Sequence, residues 1–137
     1  MAAGAVCLLS ALYLAANDRD ADRVRDADRL GAAGDYAGAL RVARDVSAPP
    51  QDARALVVQA YALHALGRRP QASRAFARAV ARDPNNWVLH RDWAVVLAQL
   101  GRRAQAGDEM SRALALNPRM SLPAGFIAPA RSAKRAG

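Results

Sequence analysis

The chain has 137 residues, room for one domain or for a short repeat array with a tail. Its apolar fraction of 53% is dominated by Ala and only 5% is aromatic, so a core has to come from Leu, Val and Ala on closely packed helices. The single cysteine, Cys7, excludes an intramolecular disulfide and a multi-cysteine metal site, and no alternating run of β-branched residues indicates a strand.

The net charge of +8 is unevenly spread. Residues 1–52 carry 6 Arg against 8 Asp, residues 53–120 carry 11 Arg against 4 acids, and residues 121–137 carry 3 basic groups. Such a balance suits an anionic partner or surface. Yet Lys134 is the only lysine among 20 basic residues, and Ala and Gly are abundant, which fits GC-rich codon usage on ordinary solvated helix faces.

Residues 2–16 carry no charge and are apolar on every side of a helix, which favours lipid over a half-exposed surface. The run would span roughly 22 Å, short of the about 30 Å, or about 20 residues, that a full span needs. No basic residue precedes Arg19, unlike a usual signal peptide, and Gly4-Ala5-Val6 ahead of Cys7 departs from a lipoprotein pattern. An uncleaved anchor, a signal peptide with a poor basic region, the end of a last membrane span and a packed soluble helix all stay open. An anchor is expected, with residues 1–17 as an apolar helix in a membrane and the remainder in water. Nothing interrupts residues 5–30, so this helix is expected to run on into Asp20–Leu30. The 4 Arg and 5 Asp of residues 18–29 give no orientation by loop charge.

Residues 18–52 form a weak helix pair. Gly34-Asp35 marks its turn, Ala27 and Leu30 its first helix, and Ala43 and Val46 its second. Arg23 and Asp26 stand where apolar residues are expected, and Ser47-Ala48-Pro49-Pro50 ends it early. Two stronger units follow, residues 53–86 and 87–120. Shifted by 34 residues they share 12 identical pairs, among them Leu63/Leu97, Gly67/Gly101, Arg68/Arg102, Arg69/Arg103, Ala79/Ala113 and Pro84/Pro118. A period of this length marks a repeat array.

Each unit reads as two helices. In the first, a helix from about Gln51 to Leu66 carries Leu56, Ala60, Leu63 and Leu66 on one face, and Gly67 ends it. Pro70 opens a second helix with Ala72, Phe76, Ala79 and Val80 inward, and Asp83-Pro84 stops it. Asn85-Asn86 supplies the cap of the next helix. In the second unit Trp93, Ala94, Leu97 and Leu100 face inward before Gly101, then Ala106, Met110, Ala113 and Leu114 before Asn117-Pro118. Gly107 is an imperfection costing about 1 kcal/mol. Residues 121–137 form a basic tail with no helical period, in which Phe126 and Ile127 are placed to cover the end of the last helix.

Leu56, Gln59, Ala60, Leu63, Ala72, Phe76, Ala79 and Pro84, with His90, Trp93, Ala94, Leu97, Ala106, Met110, Ala113 and Pro118, resemble the tetratricopeptide-repeat (TPR) pattern. The resemblance covers about residues 20–120. It implies an all-α fold, with antiparallel helix pairs stacked as a short right-handed solenoid behind the apolar N-terminal helix. Gln59 and His90 depart from the apolar preference, so their helix faces are expected to be partly exposed. The short apolar run leading into repeats with DPNNW and LNPR turns is similar, more narrowly, to the C-terminal tails of bacterial O-antigen ligase-like membrane proteins.

The resemblance implies a concave groove presenting Arg54, Val57, Tyr61, His64 and Ala65 from one unit, and Val88, Arg91, Val95, Ala98 and Gln99 from the next. That groove would hold another protein or peptide, without a cofactor, metal or small-molecule substrate. Val57 and Tyr61 occupy places where some family members carry a Lys and Asn that clamp a terminal carboxylate, so that specificity is not expected. No catalytic constellation is apparent: His64 and His90 lie on different units and are expected at or near the surface. Asp108 and Glu109 point to different sides of a helix. Nucleic acid is not expected either, because the array lacks interleaved aromatics.

Overall fold

The computed structural model describes residues 2–47, 49 and 51–126, with side chains from Tyr13 onward. Among these residues the protein is all-helical, with no strand: α1 Ala2–Ala32, α2 Tyr36–Arg44, α3 Gln51–Ala65, α4 Arg69–Arg82, α5 Trp87–Gln99 and α6 Arg103–Leu116. The chain packs as two compact units, Met1–Pro84 with α1 to α4 and Asn85–Gly137 with α5 and α6.

α1 is unbroken from the uncharged run into the Asp/Arg-rich segment, because no Pro occurs before its end. Its charged part is laced by i,i+3 pairs, Asp20–Arg23 at 2.9 Å, Asp26–Arg29 at 3.1 Å and the exposed Asp22–Arg25. Among the described residues no helix is long and apolar enough to cross a membrane. The side chains of residues 2–12, Cys7 included, lie outside the described residues.

The turns joining α1 to α2, α3 to α4 and α5 to α6 have one geometry. Gly34, Gly67 and Gly101 sit at φ of 84°, 71° and 75°, which a side chain would strain. The following amides, of Asp35, Arg68 and Arg102, each donate at 2.9 Å to the carbonyls of Leu30, Leu63 and Leu97. The glycine amides donate to Gly31, His64 and Ala98 at 3.1, 3.0 and 2.9 Å. This paired bonding satisfies the last helix carbonyls and reverses the chain. At the start of α2 the Asp35 carboxylate accepts the Gly38 amide at 2.8 Å. Asn86 is the N-cap of α5 as expected, but its side chain makes no capping bond; its carbonyl takes the Leu89 amide at 3.1 Å.

In the first unit Val24, Ala27, Ala43, Val46 and Ala55 form one cluster, and Ala60, Leu63, Ala72, Phe76, Ala79 and Val80 are buried along α3 and α4. The charged residues at apolar positions of the weak pair stay in solvent: Arg23 and Asp26 are exposed, and the neighbouring Val24 and Ala27 turn inward instead. Val46 is buried beyond the end of α2 rather than within it. Leu66, expected on the inward stripe, is 36% exposed because the chain is already leaving α3 there.

Two further expectations are corrected. Gln59 and His90 are buried, not partly exposed. Gln59 Nε2 donates at 2.9 Å to the Ala43 carbonyl, in the last turn of α2, and so supplies a partner that the short helix lacks. Asp20, also buried, accepts the Ser47 amide at 3.0 Å and ties α1 to the exit of α2. These buried polar groups cross-brace elements whose Ala-rich contacts bury little area.

In the second unit α5 and α6 pack together, burying Leu89, Ala94, Val96, Leu97, Ala106, Met110 and Ala113. After α6 the Phe126 amide closes a turn onto the Pro123 carbonyl at 3.1 Å, and Phe126 is half-buried. Ile127 and the basic tail beyond it lie outside the described residues.

Candidate functional site

The first unit carries a hollow of about 200 Å³ between α1 and α3, floored by Ala27, Gly31, Ala39 and Ala62 and flanked by Val57, Val58, Tyr36 and Tyr61. It exists because the residues where the two helices approach are small, so no side chain fills the gap. Of the residues expected on a groove, Val57 and Tyr61 line this hollow. Tyr61 is 36% exposed, and its ring meets the fully buried Phe76 edge-on, with centroids 5.2 Å apart and planes at 82°. That contact holds the ring in place, so it offers area to a ligand with little further ordering.

Arg54 stands on the same helix and pairs with Asp28 of α1 at 3.1 Å, with both side chains well exposed. The pair sets a polar edge beside the apolar hollow, since Asp28 is itself part of the lining. His64 is half-buried, and its Nδ1 has no hydrogen-bond partner among the described residues. It follows Tyr61 by one helical turn and does not line the hollow.

In the second unit Val88, Arg91 and Val95 are half-buried on α5, and Gln99 is exposed at its end. Arg91 is held from two sides: its Nε donates to Asp92 at 2.7 Å, and its guanidinium lies 5.1 Å from the centre of the Trp87 ring. The four residues recur at three- and four-residue steps and so share a stripe of α5.

Sequence reasoning missed the contribution of α1 and of the start of α2. Tyr36, Asp28 and Gly31 were absent from the expected groove because the weak first pair was not carried through to its site positions. The signal was present. The spacing of Gly34 from Gly67 is 33 residues, and moving Tyr61 and His64 back by that interval lands on Asp28 and Gly31.

It also missed a buried polar group in the second unit. His90 Nδ1 lies 2.6 Å from Glu109 Oε2, and Arg112 donates to the other carboxylate oxygen at 2.9 Å. His90 and Glu109 are almost wholly enclosed, with side chains 4% and 8% exposed, so the expectation of a surface histidine is corrected. The two residues stand on different helices, 19 positions apart, beyond any helical spacing that a sequence pattern displays. Their burial makes them a brace between α5 and α6. Among the described residues no cluster of three or more metal-ligating side chains forms.

No protein-family model matches the chain, and no curated protein matches it.

Proposed function

We propose that this protein is a non-catalytic interaction scaffold of TPR type, which takes a segment of another protein on the face formed by α1 and α3. The observation that carries the reading is the apolar hollow, with two tyrosines, Tyr36 and Tyr61, partly exposed at its sides. Its size suits one apolar side chain rather than a whole small-molecule ligand, since ligand pockets run to about 300–1,000 Å³. The partner anchors an apolar residue there, and the Arg54–Asp28 pair offers it polar contacts. The three identical glycine turns and the 34-residue repeat support a stack of helix pairs as the framework.

Selection of displayed peptides on the full chain tests this. Recovered peptides should carry a recurrent apolar residue and weaken by about tenfold on Tyr61→Ala. A change at exposed Gln105 on α6 should leave them unaffected. Equal binding by both variants would remove the hollow from the function.

A second reading rests on the continuity of α1 from an uncharged into a charged segment. In it the chain is membrane-tethered through residues 2–16, as an accessory tail of an O-antigen ligase-like glycan-assembly enzyme. Genomic sequence upstream of Met1 discriminates: an open frame encoding further apolar spans favours the tail.

A further inference from the structure

On its other side the first unit carries a second recess, built of different chemistry. Two cavities of about 590 and 580 Å³ share Arg44, Gln59 and Arg78 and so form one trough, bordered by α2, α3 and α4. Arg44 comes from the last turn of α2, and Arg74, Arg78 and Arg82 come from α4. Among the described residues Arg82 alone of these four has an acidic partner, Asp52 at 2.9 Å. Arg78 reaches the Gln59 carbonyl oxygen at 3.4 Å. Among the described residues no carboxylate stands within ion-pair distance of Arg44, Arg74 or Arg78, although the same unit pairs its α1 arginines freely.

The arginines of α4 recur every four residues, about 6 Å apart along the helix axis. In an extended peptide, alternate side chains lie on one face at about 6.6 Å spacing. The trough from Gln71 to Arg82 is about 16 Å long, or about five extended residues. Guanidinium groups bind carboxylates through paired donors, which suits this row better than lysines would. A single strand of nucleic acid has a similar charge spacing, but its sites combine backbone charge with aromatic stacking platforms, and no aromatic side chain lines the trough. We propose that this trough binds an acidic peptide segment in extended form, with carboxylates at alternating positions facing Arg74, Arg78 and Arg44. This site is separate from the α1–α3 hollow and does not depend on its role.

The test is a fluorescence-anisotropy titration of the full chain with a labelled ten-residue peptide of alternating Glu and Ser. The variant Arg44→Gln/Arg74→Gln/Arg78→Gln should weaken binding about tenfold or more. Arg102→Gln/Arg103→Gln/Arg119→Gln, with the same change in net charge, should weaken it less than about threefold. If the first variant loses helicity by circular dichroism, Arg44→Gln/Arg74→Gln, which keeps the Gln59 bond, decides on the same criterion. Equal loss in both sets, the absence of saturable binding, or tighter binding of oligodeoxythymidylate of equal length would overturn the proposal.

Discussion

At the scale of single residues, the clearest contrast is between two glycines six positions apart. Gly101 sits at φ 75°, where any other residue is strained, whereas a methyl added at Gly107 meets nothing within 4 Å. Gly101→Ala should therefore destabilise by about 1 kcal/mol, from the cost of holding a side chain in the left-handed region. Gly107→Ala should stabilise by about 0.5–1 kcal/mol. Urea midpoints check both, and a like sign for the two would be inconsistent with the turn geometry. The His90–Glu109 brace makes a second contrast. Glu109→Ala leaves His90 enclosed without its carboxylate and should cost about 2–3 kcal/mol. The repeat itself suggests a remedy, because 34 positions earlier these sites hold Leu56 and Ala75. His90→Leu/Glu109→Ala should recover part of that loss in a double-mutant cycle, since removing both partners avoids an orphaned polar group.

At the scale of elements, small residues decide how closely helices pair. Ala79 and Ala113 are 1% and 0% exposed at equivalent places on α4 and α6. Ala79→Leu or Ala113→Leu should overpack the contact and lower stability by about 1–3 kcal/mol, read as a shifted denaturation midpoint. These elements were legible from the sequence because Gly67, Gly101 and Pro84 punctuate a run with strong helical period. Gly and Pro act locally, so their effect can be read without knowing the fold. The weak first pair was read only in outline. Its core uses Val24 and Ala27 beside charged neighbours, and an Ala-rich stripe next to Arg and Asp gives little contrast. The tertiary polar ties, Gln59 to Ala43 and Asp20 to Ser47, join residues 16 and 27 positions apart, and no local pattern encodes them. The candidate hollow was half legible for the same reason: α3 supplied Val57 and Tyr61, while the share of α1 depended on trusting a repeat one residue shorter.

At the scale of the whole molecule, function turns on which surfaces stay free for partners. The uncharged head of α1 leads into a segment where Tyr13 and Leu14 are 55% and 59% exposed, with the Tyr13 hydroxyl donating to the Pro49 carbonyl at 3.2 Å. If residues 2–16 tether the chain, the full protein should pellet with membranes after carbonate extraction and a chain starting at Asp18 should not; equal release of both would rule the tether out. The hollow between α1 and α3 carries the proposed function, and its most direct test is a nuclear magnetic resonance titration of the isotope-labelled full chain with a display-selected peptide. The proposal predicts that the largest shift changes fall on Asp28, Gly31, Val57 and Tyr61, and that Tyr61→Ala reduces them several-fold at the same sub-saturating peptide concentration. Changes confined to α6, or an unchanged titration of the Tyr61→Ala variant, would contradict it.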